Sequence, residues 1–277
     1  MKVKINMIGG GFQHDICSSA LNIPKNIEWV KDGSANISIH IDYAIFQPVV
    51  KTKKNYGWVS ESSSIIPQVI DGVKNNIQTL KENYEMIFTH DRRIVNFDPS
   101  FFKFTLPNAC PWVQNKKIYK KNKNISFIVS NKTMTEGHKY RLRVLEKYKN
   151  YVDHFGMGFA KNLPWTYQEN SLEESGKLLA LKDYRFSFAF ENDNYDSIFC
   201  EKITDCFVTG TIPIYVGNPN IGDFFDSNGI IMYDDSFEIK NLTEEFYKSK
   251  LESISNNFRL AIDLPTSEDY FYTKYIK

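Results

Sequence analysis

No stretch of the 277 residues is apolar for long enough to span a bilayer. The apolar part of the first segment, MKVKINMIGGGFQHDICSS, is too short for a signal-peptide core, so a cytoplasmic protein is expected. Excess charge of one sign is also missing. Against 34 Lys+Arg stand 33 Asp+Glu, a formal net charge of +1, which excludes a global nucleic-acid footprint. Cysteine is scarce: Cys17, Cys110, Cys200 and Cys206 contain no CxxC pair, which argues against zinc-ribbon and thioredoxin chemistry. Cys200 and Cys206 stand too far apart along one helix to bridge easily, and free thiols in a reducing compartment are expected. The five histidines, His14, His40, His90, His138 and His154, fall in no metal-binding spacing, and no GxSxG or Cys–His signature occurs. The run Gly9–Gly11 fails the GxGxxG pattern at His14, and reads instead as a close backbone approach.

What the chain has is aromatic content, 15%, and an alternation of strand and helix signals. The aromatics argue against disorder, and the alternation implies parallel sheets. VKINMIGGG, YAIFQPVV, YGWVSE and YEMIFTH read as strands, and PQVIDGVKNNIQTLKEN as one helix begun by Pro67. From Phe97 to about residue 122, prolines, aromatics and a lysine run show no period, and a linker is placed there. The pattern then restarts. ISFIVSN, YVDHFG, RFSFAFEN, TIPIYVG and GIIMY read as strands, and GHKYRLRVLEKYKN, SLEESGKLLALKDY and SIFCEKITDCFVTG as helices, the second with Ser171 and Glu174 spaced as a capping box. The expected fold class is α/β, with domains over 1–122 and 123–277 and a cleft between them. Ligands of such sheets bind outside the carboxyl ends of the strands.

One stretch concentrates polar chemistry. FAFENDNYDSIFCEK, from Phe188 to Lys202, is an apolar strand that stops at Glu191-Asn192 and restarts as a helix. Phe199, Ile203, Cys206, Phe207 and Gly210 recur at helical spacing, with Asp196 or Ser197 as the expected cap. A strand feeding a helix N-terminus, with Lys202 beside it, suits a diphosphate, and the carboxylates suit hydroxyls of an attached sugar. Glutamate at a helix start is also favoured by the dipole alone, and spacing by itself favours that plainer reading.

Read together, Tyr184 to Phe225, YRFSFAFENDNYDSIFCEKITDCFVTGTIPIYVGNPNIGDFF, resembles the signature of the α1,3/4-fucosyltransferase family. The elements Y-[KR]-F, FEN, the Glu-Lys helix start, IP-[IV] and G-x-P stand in the family's order. Phe127–Leu145 matches more weakly and the first half only in outline. The resemblance implies a GT-B-like architecture of two Rossmann-like domains. It also implies inverting transfer of L-fucose from GDP-fucose to a hydroxyl of an oligosaccharide acceptor, without an obligatory metal or other cofactor. It assigns donor contacts to Ser130, Asn131, Arg141, Glu191, Asn192, Tyr195, Glu201 and Lys202, with Lys202 on phosphate and Glu201 on sugar hydroxyls, and it gives Glu201 a catalytic part. Arg141 matches the family's phosphate-binding arginine, and Arg143 is a rival for that role.

Glu61 corresponds to the glutamate base that bacterial members carry in an N-domain loop; an ordinary loop carboxylate is the alternative. Ile198 departs from the tyrosine that bacterial relatives place three residues before the Glu-Lys pair, which leaves room for a different nucleotide-activated sugar, and Tyr195 is a candidate substitute. A glycan-binding protein without turnover is the reading from another class. The ending YFYTKYIK could make a peripheral membrane contact, although packing is the commoner use of such aromatics. Asp234-Asp235 reads as a turn, and His14-Asp15 and His90-Asp91 as candidate acid–base pairs.

Overall fold

The computed structural model describes residues 1–9, 18–19, 22–51, 53–156 and 176–277. Outside that range fall Gly10, Gly11, His14, Asp15, Cys17 and Gly158, and the expected capping pair Ser171 and Glu174. The chain divides into two compact units. The first comprises Met1–Ala109, Asp196–Ile198 and Pro265–Lys277, and the second Cys110–Tyr195 and Phe199–Leu264. The division falls earlier in the chain than residue 122, and the C-terminal segment returns to the first unit. Among the described residues no helix is long and apolar enough to cross a membrane.

The first unit is built on a six-stranded parallel sheet. Its strands are β1 (Val3–Ile8), β2 (Ile27–Val30), β3 (Ile37–Ile41), β4 (Lys54–Val59), β5 (Ile87–Thr89) and β6 (Phe102–Phe104), in the order β2-β1-β3-β4-β5-β6. Five consecutive residues of β4, from Asn55 to Val59, are buried, as a parallel strand covered on both faces requires. One face packs Val59, Val69, Val73, Leu80, Ile94 and Phe102; the other packs Ile5, Ile39, Trp58, Phe88 and Phe271. The C-terminal aromatics are therefore packing groups. Phe271 stacks on Phe88 with centroids 4.7 Å apart, and the Tyr275 hydroxyl donates to the Phe104 carbonyl.

Two expectations fail here for local reasons. YAIFQPVV is not a strand: Asp42–Phe46 forms a 3-10 turn of helix. Asp42 adopts φ +52°, outside strand geometry, and its carboxylate accepts from the Ser60 backbone N–H and hydroxyl, both at 2.8 Å. The single helix expected from Pro67 is two, α1 (Pro67–Asn75) and α2 (Ile77–Asn83). The break falls at Asn76, whose backbone (φ −111°, ψ 21°) leaves helical geometry while its N–H and its side-chain amide both donate to the Gly72 carbonyl. A four-residue helix, α3 (Arg92–Val95), follows β5.

The second unit holds a five-stranded parallel sheet in the order β11-β10-β9-β7-β8. Its strands are β7 (Lys123–Ile128), β8 (Asp153–Phe155), β9 (Tyr184–Phe190), β10 (Ile212–Val216) and β11 (Ile231–Met232). Phe188 of β9 pairs with Phe127 on one side and Ile214 on the other, in the middle of the core. The helices are α4 (Glu136–Tyr148), α5 (Gly176–Leu181), α6 (Glu201–Phe207), α7 (Glu244–Lys248) and α8 (Leu251–Ile262). Helix α4 is fixed by a capping box in which Thr135 and His138 satisfy each other's backbone N–H groups. Helix α6 starts later than expected. Its N-cap is Cys200, which makes no side-chain cap bond and whose own N–H is taken by Glu191 at 2.9 Å, so neither Asp196 nor Ser197 caps it.

Candidate active site

The carboxyl ends of parallel strands leave backbone groups and first-turn side chains facing one edge, and most of the expected donor residues gather there. Ser130 follows β7, Glu191 and Asn192 follow β9, and Gly217-Asn218 follow β10. Arg141, on the second turn of α4, is 6% exposed, and its Nη2 donates to Ser130 Oγ at 2.9 Å. Its Nε is buried with no partner among the described residues. Burial lowers the Arg141 pKa, opposed by Cys200 and Glu191, but leaves the guanidinium charged. Arg143, the rival, is exposed and lies over the Tyr140 ring. Asn131 is likewise exposed.

Glu191 is the centre of one charge cluster. Its Oε2 accepts from the Cys200 thiol at 2.8 Å and from Lys202 Nζ at 3.2 Å, and Lys202 also donates to the Cys200 sulfur at 2.8 Å. Burial works against the charge of Lys202, but Cys200, Glu191 and Glu201 outweigh it and hold its pKa well above the usual lysine value. Burial, with Glu191 and Glu201, pushes the Cys200 thiol well up, so it is a neutral donor.

Glu201 is the centre of a second cluster. Its Oε1 accepts from Lys177 Nζ at 3.0 Å, and Lys177 also donates to Asp205 Oδ2 at 2.8 Å. Burial alone would raise the Glu201 pKa, but Lys177 and Lys202 pull it down to about 2, so it is a carboxylate at neutral pH. Burial raises that of Asp205, and Lys177 opposes the rise.

Asn192 touches the start of α4. Its carbonyl lies against Gly137, where an added Cβ would come within 2.7 Å of the Asn192 carbonyl carbon. Its own side-chain Oδ1 is buried without a partner among the described residues, and so is Asn218 Nδ2. Tyr195 and Ile198 are both buried, Ile198 in the short segment counted with the first unit. Glu61 also belongs to the first unit. It is exposed just past β4, in a loop whose backbone is tied down by Asp42. The other candidate pair resolves structurally: His90 is buried, and Asp91 caps α3 by accepting from the Arg93 N–H. Asp234 accepts from the Ser236 N–H and hydroxyl, as a turn residue does. Among the described residues no group of three or more His, Cys, Asp or Glu could hold a metal ion.

Sequence reasoning missed Lys177, Asp205, Cys200 and Asn218. Cys200 carried a signal, since it stands directly before Glu201. Lys177 carried almost none, because a lysine early in a helix is ordinary until the sheet order brings it to Glu201.

The family model described as "Glycosyltransferase family 10 (fucosyltransferase) C-term" matches residues 118–259, which holds both clusters. A fucosyltransferase-like protein of Arabidopsis thaliana is 48% identical over 48 residues, 17% of this chain and 9% of its own length. GDP-fucose protein O-fucosyltransferase 3 of Bos taurus is 36% identical over 58 residues, 21% of this chain and 12% of its own. Alpha-(1,3)-fucosyltransferase B of Drosophila melanogaster is 25% identical over 151 residues, 53% of this chain and 33% of its own. The matches thus span a third or less of these relatives. A crystal structure of an alpha1,3-fucosyltransferase with GDP superposes with a TM-score of 0.50, covering 96% of this chain and 82% of that one. The same figures hold for one with GDP-fucose. At 12% and 13% identity these likenesses are of fold, two parallel α/β units of the GT-B kind.

Proposed function

Because the chain belongs to glycosyltransferase family 10, the fucosyltransferases, we propose that it moves L-fucose from GDP-fucose to a hydroxyl of an acceptor glycan with inversion. The single observation that carries this reading is the pairing of cations with carboxylates, all buried or half-buried, at one sheet edge. Arg141 and Lys202 supply positive charge, Glu201 supplies acceptors for hydroxyls, and Glu191 holds Lys202 in place. A nucleoside-diphosphate sugar needs both. GDP and GDP-fucose are the ligands named for two of the fold neighbours, which favours guanine and fucose as the donor parts.

In this reading the acceptor oxygen attacks the anomeric carbon as the bond from that carbon to the β-phosphate oxygen breaks. GDP leaves with the electron pair. Its developing charge falls on Arg141, whose planar fork suits a bidentate phosphate contact, and on Lys202. Glu201 takes hydrogen bonds from the sugar hydroxyls, and Asn192 adds an amide to the same donor. The acceptor proton goes to Glu61, a carboxylate on a loop with a fixed backbone. Nothing in this sequence of bonds requires a metal, since side-chain cations meet the leaving diphosphate.

Incubating the protein with a panel of nucleotide sugars and mixed glycan acceptors, read by mass spectrometry, tests the proposal. GDP release with a fucosylated product is expected. Preference for another donor would favour the second reading, a different sugar on the same fold, which the buried Ile198 in place of the family tyrosine motivates. Glycan binding with no donor turned over would favour a binding protein.

A further inference from the structure

Lys177 stands where a buried and a half-buried carboxylate need a cation. The side chains of Lys177, Glu201 and Asp205 are 19%, 14% and 2% exposed. Asp205 and Glu201 are four residues apart on α6, so they share a helix face. Asp205 is anchored, because its Oδ1 accepts from the Val113 N–H at 2.8 Å. Lys177 reaches across from α5, donates to both carboxylates, and lies 4.2 Å from the centroid of the Trp112 ring. The ammonium is thus held from three directions.

We propose that Lys177 is a positioning residue for the transfer reaction: it locks the rotamer and the charge of the Glu201 carboxylate that grips the donor sugar. This rests on the fucosyltransferase reading of Glu201. Among the described residues, the titratable groups facing Glu201 are Lys177 from α5, Lys202 and Asp205 from its own helix, and Cys200 at the helix N-cap. Lys202 also lowers the Glu201 pKa, but its hydrogen bonds go to Glu191 and Cys200, and the thiol is neutral, so Lys177 is the cation that donates to the Glu201 carboxylate. With Lys177 gone, Glu201 would face Asp205 in a poorly solvated place. Burial and like charge then both favour a proton on the Glu201–Asp205 pair and raise the Glu201 pKa, with Lys202 left to oppose the rise. A protonated carboxyl loses acceptor capacity and gains a donor, which is the wrong complement for sugar hydroxyls.

The test uses the full chain labelled at glutamate carboxyl carbons, with the Glu201 signal assigned through Glu201→Gln. In Lys177→Met the Glu201 titration should move up towards neutral pH. The kcat/KM for the donor should gain an ascending limb that falls about tenfold per pH unit below the new pKa. Affinity for GDP, which lacks the sugar, should stay within about twofold, against the tenfold that one pKa unit represents. Lys177→Arg should keep the original pH profile. If Lys177→Met does not fold, Lys177→Met combined with Asp205→Asn takes its place, with a smaller upward shift because one repelling charge is gone. An unmoved Glu201 titration overturns the proposal. So does an equal loss of GDP binding and transfer at every pH, which a purely structural lysine would give. Absence of transfer from GDP-fucose by the unaltered protein would instead sink the functional reading, and the carboxyl titration would still report on Lys177.

Discussion

Lys202 and Glu191 share a thiol. Lys202 Nζ lies 3.2 Å from Glu191 Oε2, and Cys200 Sγ lies 2.8 Å from each of those two atoms. Glu191 is 4% exposed and also takes the Cys200 N–H, so its charge is satisfied without help from solvent. The lysine is consequently preset at the sheet edge before any anion arrives, which spares the ligand part of the cost of ordering it.

Lys202→Ala should therefore do two things at once. Loss of a charge-assisted phosphate contact should weaken GDP binding at least about tenfold. Loss of the partner of a buried carboxylate should lower stability by up to about 3 kcal/mol, at the lower end for buried pairs because Lys202 keeps some exposure. Adding Glu191→Gln should recover part of the stability and none of the affinity. Calorimetric titration with GDP and urea unfolding separate the two effects, and recovery of both together would contradict the assignment.

Arg141 tests geometry more than charge. Arg141→Lys keeps the charge but removes the fork, and the Ser130 contact cannot be reproduced by a point ammonium of shorter reach. GDP affinity should fall by about 1.5–3 kcal/mol, the worth of hydrogen bonds to a charged group. The same change at Arg143, exposed over Tyr140, should leave GDP binding unaltered in the same titration.

Much of this candidate site is legible in the sequence, because the chemistry is contiguous. Glu191, Asn192, Glu201 and Lys202 lie within one strand-to-helix passage, where apolar period and polar interruption are both visible. What stayed hidden depends on distance in the chain. Lys177 meets Glu201 only because β9 carries the chain from the end of α5 across the sheet to α6. The edge of the passage was misplaced for a related reason. A carboxylate nine residues back, Glu191, takes the N–H of Cys200 where α6 begins, and local cap rules look only at neighbours. In the first unit, β2 and β3 were missed although Ile37, Ile39 and Ile41 alternate with Ser38 and His40; the strands are four and five residues long. The helical turn at Asp42–Phe46 had strand-like residues, and the left-handed backbone at Asp42 interrupts the extended geometry they favour.

Glu61→Gln isolates proton transfer. The amide keeps the size of the side chain and cannot take a proton from the acceptor. With the Asp42 contacts to Ser60 and the Glu61 backbone intact, the loop should not move. Removal of a general base commonly costs about 10²–10⁴-fold, so kcat should fall at least about a hundredfold while GDP affinity stays near normal. Full activity in this variant would return Glu61 to an ordinary surface carboxylate.

Gly137→Ala probes the seat of α4. A methyl there would press on the Asn192 carbonyl carbon and Cα, at 2.7 and 3.1 Å, and both are backbone atoms that cannot swing away. Either α4 or the Asn192 turn must shift. Overpacking of this kind costs about 1–3 kcal/mol, despite the better helix propensity of alanine. Because Arg141 rides on α4, GDP binding should weaken along with the Tm. A Tm drop with unchanged GDP affinity would show that the turn yields and the helix stays.

His90 gives the first unit an acid-sensitive stability. It is 3% exposed, and burial pushes its pKa down to about 4, with Asp91 pulling up and Arg93 pushing down. In the unfolded chain the same ring titrates near its ordinary value, about 6.5. Between these values the unfolded state takes up a proton that the folded state refuses. The His90 contribution is therefore fully present above about pH 6.5, shrinks as the pH falls, and is gone by about pH 4, for a total of about 3 kcal/mol. Carboxylates such as Asp98, lowered to about 2 by the Lys81 and Ser100 hydrogen bonds, act at lower pH and do so in both proteins compared. His90→Asn, which does not titrate, should flatten the rise of urea stability with pH between 4 and 6.5 relative to the unaltered chain. Parallel pH curves for the two proteins would mean that the buried ring is protonated in the folded state.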